Sequence, residues 1–600
     1  MNCLLNSSKY FFILLASTLL IGCSGESENA SDSGEAVDAS AEFSKEYTVT
    51  SRELSDPESI NLLTGQGEST TYLGYYIMPS LTGVDFKTLK VVPYLAKALP
   101  EVEEKEDGRI HITYEIREEA VWDNGEPVTA EDVAFGLKVI KNPRVDCERI
   151  RPYFEFIEDV KFYPENPKKF TIIGDEAYML AEQTSGGIYM FPPYIYDPDG
   201  LMEKFTVKQL ARNAEELRDD PDIKAFADLF NSEKFAREVV AGCGPYELDK
   251  WETNQRLVLK RKENWWGDQL KGLHSFFDYP RPEKIIFETI NDDATAITAL
   301  KSQKVDVMRS IDPKVFVKDL PKSEKYNKYF DSHTPNFMAY EYIGMHMKNP
   351  KFESVKTRKA LAYLTDVQKM LKTIFYGLGE RTIGFIHPSH EDFYNDTITP
   401  YEFNVDKAQK LLAEDGWEDT DGDGVLDKMI NGTRTNFTIQ LNYNNGNPRR
   451  EKIALIFQEQ ARKVGINVDV RPLEWSVFLE RTKKHEFEMY IGGWVSSILE
   501  SDPKQIWHTD SYNDGSNYVG FGDAETDQMI EDLRSELDKE KRAKIYKQLQ
   551  VVLHEEVPYI FLYITKQRIA IHKRFENAYG TPQRPGYWRG GFRLASEVTQ

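Results

Sequence analysis

An α/β fold is what the order of hydrophobic patterns predicts, on three observations. Residues 437–443 alternate as a strand does, residues 450–464 place Ile453, Ile456, Phe457, Ala461 and Val464 on one helical face, and residues 466–470 alternate again. Such a strand–helix–strand unit pairs its strands in parallel through a right-handed crossover. From Tyr47 onward strand-like and helix-like stretches keep alternating, with no short internal repeat. The composition agrees: 600 residues suffice for about four folding units, and a 40% hydrophobic, 12% aromatic content can fill large cores.

The remaining elements follow in order. Thr129 can cap a helix in which Val133, Leu137 and Ile140 share a face. Residues 404–415 read as a second helix, with Leu411 and Leu412 apolar and Gly416 as the stop. Residues 487–494 (FEMYIGGW) read as the strand after the strand–helix–strand unit, ending in a double glycine. In open α/β sheets ligands gather at the carboxyl ends of strands, which makes Gly492, Gly493 and Trp494 candidate ligand residues.

Charge and motif content exclude several functions. With 75 basic and 98 acidic residues the net charge is −23, so no basic excess exists to displace the counterions of a nucleic acid. A mean hydropathy of −0.54 excludes a multi-span membrane protein. No GxSxG, HExxH or GxxxxGK[ST] motif occurs; His554-Glu555-Glu556 lacks a second histidine, and Gly65-Gln66-Gly67 lacks the third glycine of a dinucleotide fingerprint. The expectation is a binding protein with no catalytic residues.

Residues 1–23 read as an export signal, with Lys9 as the positive region and an apolar stretch over 11–21. The closing Leu20-Ile21-Gly22-Cys23 resembles the lipobox of bacterial lipoproteins, in which the cysteine is acylated and becomes the new N-terminus; Cys23 is the expected lipidation site. Residues 24–44, rich in Ser, Gly, Ala and acids, bury too little to offset their ordering entropy and are expected to form a disordered tether. Of four cysteines, Cys3 leaves with the signal and Cys147 and Cys243 remain in the body. One disulfide between them and two buried thiols stand as alternatives. Asp419, Asp421, Asp423 and Asp427 occupy positions 1, 3, 5 and 9 of a loop with Gly424 at position 6, as in an EF-hand, but Ile430 replaces the glutamate at position 12. A structural calcium site and an Asp-Gly-rich turn are both open; no other cofactor is expected.

Several stretches, in order, resemble the extracellular solute-binding proteins of family 5, the oligopeptide/dipeptide-binding lipoproteins of ABC importers. They are residues 91–99 (VVPYLAKAL), 120–135 (AVWDNGEPVTAEDVAF), 242–251 (GCGPYELDKW), 257–266 ending in Asn264-Trp265-Trp266, 300–307 (LKSQKVDV), 358–361 (RKAL), and 489–494 with Asp502-Pro503 and Asn517-Tyr518. The resemblance spans roughly residues 47–592. It implies the type II periplasmic-binding-protein architecture, two hinged α/β lobes with an extra domain inserted in lobe I. On this chain lobe I would take residues 45–78, 211–334 and 561–600, the extra domain 79–210, and lobe II 335–560.

The resemblance further implies a monomeric, lipid-anchored subunit on the periplasmic or extracellular face of the cell envelope. It would capture peptides between its lobes and deliver them to a membrane permease. A binder of another solute (an oligosaccharide, an opine-like molecule or a metal chelate) and a secreted hydrolase are the alternative readings. Carried residue by residue, the resemblance puts Gly493 and Trp494 in the site and exposes a departure. The aspartate that holds the ligand's α-ammonium in the peptide binders falls on Ser497, which cannot replace a desolvated charge partner; Glu500 and Asp502 lie near enough to substitute. Arg309 is a candidate for a ligand carboxylate or a surface residue, Tyr342 a pocket or a core tyrosine, and Glu68 a further ligand candidate.

Overall fold

The structure is a computed structural model that describes residues 46–595 apart from 66 and 279–281. The expected signal, Cys23 and the tether therefore lie outside the described residues. No helix among the described residues is long and apolar enough to cross a membrane.

Three larger sheets organise the body. A seven-stranded sheet runs in the order Phe330–His333, Ile569–His572, Val307–Met308, Thr48–Glu53, Lys284–Thr289, Arg256–Arg261, Tyr246–Glu252. Its central strand, Thr48–Glu53, is parallel to both neighbours. Asp306 pins this centre: its carboxylate accepts from the Thr50 amide at 2.9 Å and from Arg574 at 2.8 and 2.9 Å, while Arg574 also donates to the Thr48 carbonyl at 2.7 Å. A six-stranded sheet runs in the order Gly379–Arg381, Tyr559–Lys566, Asn336–Met345, Met489–Val495, Thr438–Asn444, Asn467–Leu473. The strand–helix–strand unit is here: Thr438–Asn444 and Asn467–Leu473 are parallel and joined by the helix Pro448–Arg462.

The third sheet is antiparallel, in the order Glu101–Glu104, Ile110–Glu115, Lys169–Gly174, Ile157–Phe162. Its strand Ile110–Glu115 buries every second residue, as a half-covered strand must. The helix Ala130–Lys141 joins this unit and opens with a reciprocal capping box between Thr129 and Asp132. The helices Val207–Leu217 and Pro221–Phe230 follow before the chain re-enters the seven-stranded sheet at Tyr246. Re-entry there comes later than the boundary at 210/211 expected from sequence. It is held by Gly244, whose amide donates to the Ile77 carbonyl at 2.9 Å and where a Cβ would fall 2.4 Å from the Tyr76 carbonyl.

The chain crosses between the two large sheets twice: between His333 and Asn336, and back between Lys566 and Ile569. The crossings lie side by side, with Asn336 paired to Lys566 and the Gln567 amide donating to the Pro335 carbonyl at 2.7 Å. The return crossing falls at 567–568 rather than at 560/561, because the whole strand Tyr559–Lys566 is needed to pair with Asn336–Met345.

Candidate functional site

The candidate site is built where the strand Met489–Val495 stops being core. Its residues 489–492 are buried and 493–495 reach solvent. The strand pairs with Asn336–Met345 along its length, placing Gly493 opposite Glu341 and Trp494 opposite Tyr340. On the other side it meets Thr438–Asn444 only at Leu441–Met489 and Asn442–Tyr490. Beyond Tyr490 those two strands part, and the outer edge of residues 491–495 faces no partner strand among the described residues.

A cavity of about 170 Å³ opens at this place. Gly493 and Trp494 line it together with Tyr340 and Glu341 from the crossing strand, Arg449 and Arg450 from the start of the helix Pro448–Arg462, and Tyr563 from Tyr559–Lys566. Glu341 is held on both oxygens: Arg450 Nε donates to Oε1 at 2.9 Å and the Tyr563 hydroxyl to Oε2 at 3.1 Å. Burial and then the Glu341 charge push the Tyr563 phenol well above its usual pKa, so it stays a donor. Arg450 also donates to Asn444 Oδ1 at 2.9 Å. Arg449 is exposed and forms no ion pair or hydrogen bond among the described residues.

The double glycine has a packing reason. A Cβ on Gly492 would sit 2.7 Å from the Tyr342 ring. Tyr342 is 2% exposed, stacks on Tyr559 with centroids 3.7 Å apart, and shares a 3.0 Å hydrogen bond with the Tyr490 hydroxyl. It backs the wall of the site and does not line the cavity. The Trp494 indole sits over this aromatic layer, 3.5 Å from the Tyr559 hydroxyl, with the Tyr518 ring 6.3 Å away.

The other sequence candidates are placed elsewhere. Ser497 is exposed and its hydroxyl accepts from the Leu499 amide at 2.9 Å. Neither substitute acid is free: Glu500 takes Arg542 on both oxygens at 2.7 Å, and Asp502 takes Arg534 at 2.8 Å. Arg309 and Glu68 pair with each other at 3.0 Å; Arg309 also reaches Glu53 at 3.3 Å, and Glu68 also pairs with Arg584. Burial opposes the Arg309 charge, but Glu53 and the aromatic hydroxyls around it keep the guanidinium protonated. Both residues belong to an ion-pair cluster of the seven-stranded sheet, apart from the cavity.

One open alternative closes, and the other keeps three of its four residues. Cys147 and Cys243 do not form a disulfide: both are free, buried thiols. The Cys147 thiol donates to the Ile140 carbonyl at 3.4 Å, and the Cys243 carbonyl anchors the Trp265 and Trp266 indoles at 2.7 and 2.8 Å. Burial pushes the thiols up to about 11 and about 12. In the acidic loop, Asp419, Asp421 and Asp423 converge on the surface, but Asp427 does not join them. It is buried, accepts from Thr420 and pairs with Arg434 at 3.2 Å, so the four-carboxylate set expected from the spacing is not assembled.

An α/β body whose two large sheets are joined by paired crossing strands, with a cavity at the carboxyl end of one sheet, defines a two-lobed solute-binding protein. The comparisons agree. Residues 90–517 match the bacterial extracellular solute-binding proteins, family 5 (middle region), and the chain belongs to that family. It is 27% identical over 579 residues to the oligopeptide-binding protein AppA of Bacillus subtilis, covering 96% of each chain. It is 24% identical over 501 residues to the dipeptide-binding protein of Escherichia coli, covering 80% of this chain and 82% of that one. The solved structure of Bacillus subtilis AppA in complex with a nonapeptide matches with a TM-score of 0.68 at 25% identity, over 92% of this chain and 99% of that one. NikZ from Campylobacter jejuni in complex with Ni(L-His) shares the fold, with a TM-score of 0.66 at 21% identity over 91% and 97%.

Sequence reading missed Arg449, Arg450, Glu341 and Tyr563. The signal available for the arginines was their place at the start of a helix that follows a strand's carboxyl end.

Proposed function

We propose that the protein captures peptides between its two lobes and hands them, chemically unaltered, to an ABC permease, while a lipid on Cys23 keeps it at the cell envelope. The observation that carries the peptide reading is the free outer edge of residues 491–495 beside Trp494. An extended peptide can add to such an edge through its backbone, so that affinity comes from main-chain hydrogen bonds and side chains fall into tolerant space. The names of the relatives AppA and the dipeptide-binding protein support the same class of ligand.

Capture needs no catalytic group or cofactor in this reading. A ligand that touches both lobes favours their approach only by its preference for the closed arrangement. The test is a thermal-shift screen of the purified body against pools of peptides, oligosaccharides and metal chelates. A ligand at 100 times its dissociation constant adds about 2.7 kcal/mol to stability. A shift with peptides is expected; a shift confined to sugars or chelates overturns the peptide reading.

A further inference from the structure

In a chain with a net charge of −23, one face of the seven-stranded sheet carries the opposite sign. Residues 313–329 hold five lysines against two acids. Lys322, Lys325 and Lys328 are exposed, as is Lys304, and none of the four forms an ion pair among the described residues. Local contacts draw them together. The Asn327 side-chain amide donates to the Pro321 carbonyl at 2.8 Å, which folds the Lys322 turn against the helix Glu324–Tyr329. Lys573 donates from its backbone to the Tyr329 carbonyl at 2.8 Å and from Nζ to the Asn327 carbonyl at 2.7 Å. The neighbouring His572 reaches Gln303, beside Lys304, at 3.0 Å. Glu46, Glu324 and Asp331, the last 3.7 Å from Lys573, offset part of the charge and leave the face positive.

Its position in the fold gives this face a meaning. In the strand pair Phe330–His333 and Ile569–His572, Phe330 lies opposite His572 and His333 opposite Ile569. The lysines gather at the first end. The crossings to the six-stranded sheet leave from the second, and Phe337 and Thr565, which line the cavity, lie just beyond them. Patch and cavity therefore sit at opposite ends of the same strands. The described residues also begin at the patch: the Glu46 carbonyl accepts from Arg574, next to Lys573, at 2.8 Å. Cys23 lies twenty-three residues before Glu46, a stretch that spans at most about 80 Å. The chemistry of the face suits a diffuse anionic surface. Residues 310–329 contain no arginine, the residue that fits a fixed carboxylate or phosphate fork. No large apolar side chain of residues 302–333 is exposed to anchor a protein partner.

We propose that this lysine face rests on anionic lipid headgroups, so that the anchored body lies with its cavity turned away from the membrane and open to solute. The proposal rests on the lipid anchoring proposed above and adds an orientation to it. Lysine clusters are drawn to negatively charged bilayers, and salt releases them.

The test uses the unlipidated chain from Ser24 to Gln600 and sedimentation with vesicles of phosphatidylcholine, alone or with about one third phosphatidylglycerol. Wild type should pellet at least about tenfold more with the anionic vesicles than with the neutral ones, and should come off at about 0.5 M salt. The triple variant Lys322→Gln, Lys325→Gln, Lys328→Gln should lose most of this binding. A second triple variant, Lys410→Gln, Lys452→Gln, Lys484→Gln, makes the same change in net charge at exposed sites of the other lobe and should keep it. Circular dichroism should be unchanged in both. Equal binding to the two kinds of vesicle, or equal loss in the two variants, overturns the proposal and leaves the lipid anchor standing. An exported chain whose mass shows no lipid on Cys23 removes the anchor and this orientation with it.

Discussion

The hydroxyl of Tyr178, from the inserted four-stranded unit, donates to the carboxylate of Asp502 in the six-stranded lobe at 3.2 Å. Beside it the Met179 amide donates to the Arg534 carbonyl at 2.7 Å. Arg534 in turn holds Asp502 at 2.8 Å and lies 5.6 Å from the Tyr178 ring. Apart from the crossing strands, this clasp joins the two halves of the body, and it uses the aspartate of the Asp502-Pro503 pair that sequence reading had considered for a ligand.

Tyr178→Phe removes the hydroxyl and keeps the ring. One hydrogen bond to a partly screened carboxylate contributes about 1 kcal/mol to the clasped arrangement, so ligand affinity should fall about fivefold. Calorimetric titration with a ligand from the screen measures this. Unchanged affinity means the clasp contributes nothing to closure.

Trp494→Ala should abolish the ligand-induced thermal shift while the unliganded protein keeps its circular dichroism. The indole is only half-buried, so its removal costs about 1–2 kcal/mol of fold stability but takes away an aromatic wall of the cavity. A full shift in the variant would move the binding site elsewhere.

Gly492→Ala tests the wall behind the site. The added Cβ would meet the Tyr342 ring at 2.7 Å and the Tyr490 ring at 2.8 Å; both are buried, Tyr342 stacked on Tyr559 and Tyr490 edge-on to Tyr342 and Phe487, so neither can move freely. A loss of about 1–3 kcal/mol is expected in urea unfolding. A neutral result would show that the aromatic layer can yield.

Stability should fall with acidification between pH 6.5 and 4. Burial, with Arg574 nearby, holds His572 down at about 3, and burial, with His390 nearby, holds His387 down at about 4, both from a usual 6.5. Their folded forms are neutral: His572 Nδ1 accepts from the Arg574 amide at 3.0 Å, and its Nε2 faces Gln303 Oε1 at 3.0 Å. Below pH 6.5 the unfolded chain binds protons that the folded chain refuses, so stability is complete above 6.5 and declines by about 1.4 kcal/mol per pH unit per histidine. Urea midpoints at pH 7.5, 6 and 5 measure the decline, and His572→Gln should reduce its slope. A flat profile contradicts the neutral, buried assignment.

Long periodic segments were legible in the sequence, and charge pairing was not. The unit over 437–470 and the helix capped by Thr129 follow from local pattern and capping chemistry alone. The place of Gly493 and Trp494 at the carboxyl end of a strand was legible from the alternation before them. The pairing of Asn336–Met345 with Tyr559–Lys566, more than two hundred residues apart, leaves no local trace, and so the return crossing was misplaced. Arg309 shows the same limit: one arginine beside a strand reads alike whether it awaits a ligand or is bound to Glu53 and Glu68. Which arginine is spent and which is free, Arg450 or Arg449, is decided by Glu341 a hundred residues away.

The central claim is capture without conversion at the cavity beside Trp494. Its most direct test is to incubate wild type and Trp494→Ala with a defined peptide pool, remove free peptide, denature, and weigh what is released. Intact peptides recovered from wild type and none from the variant are the predicted result. Cleaved peptides, or equal recovery from both proteins, would contradict it.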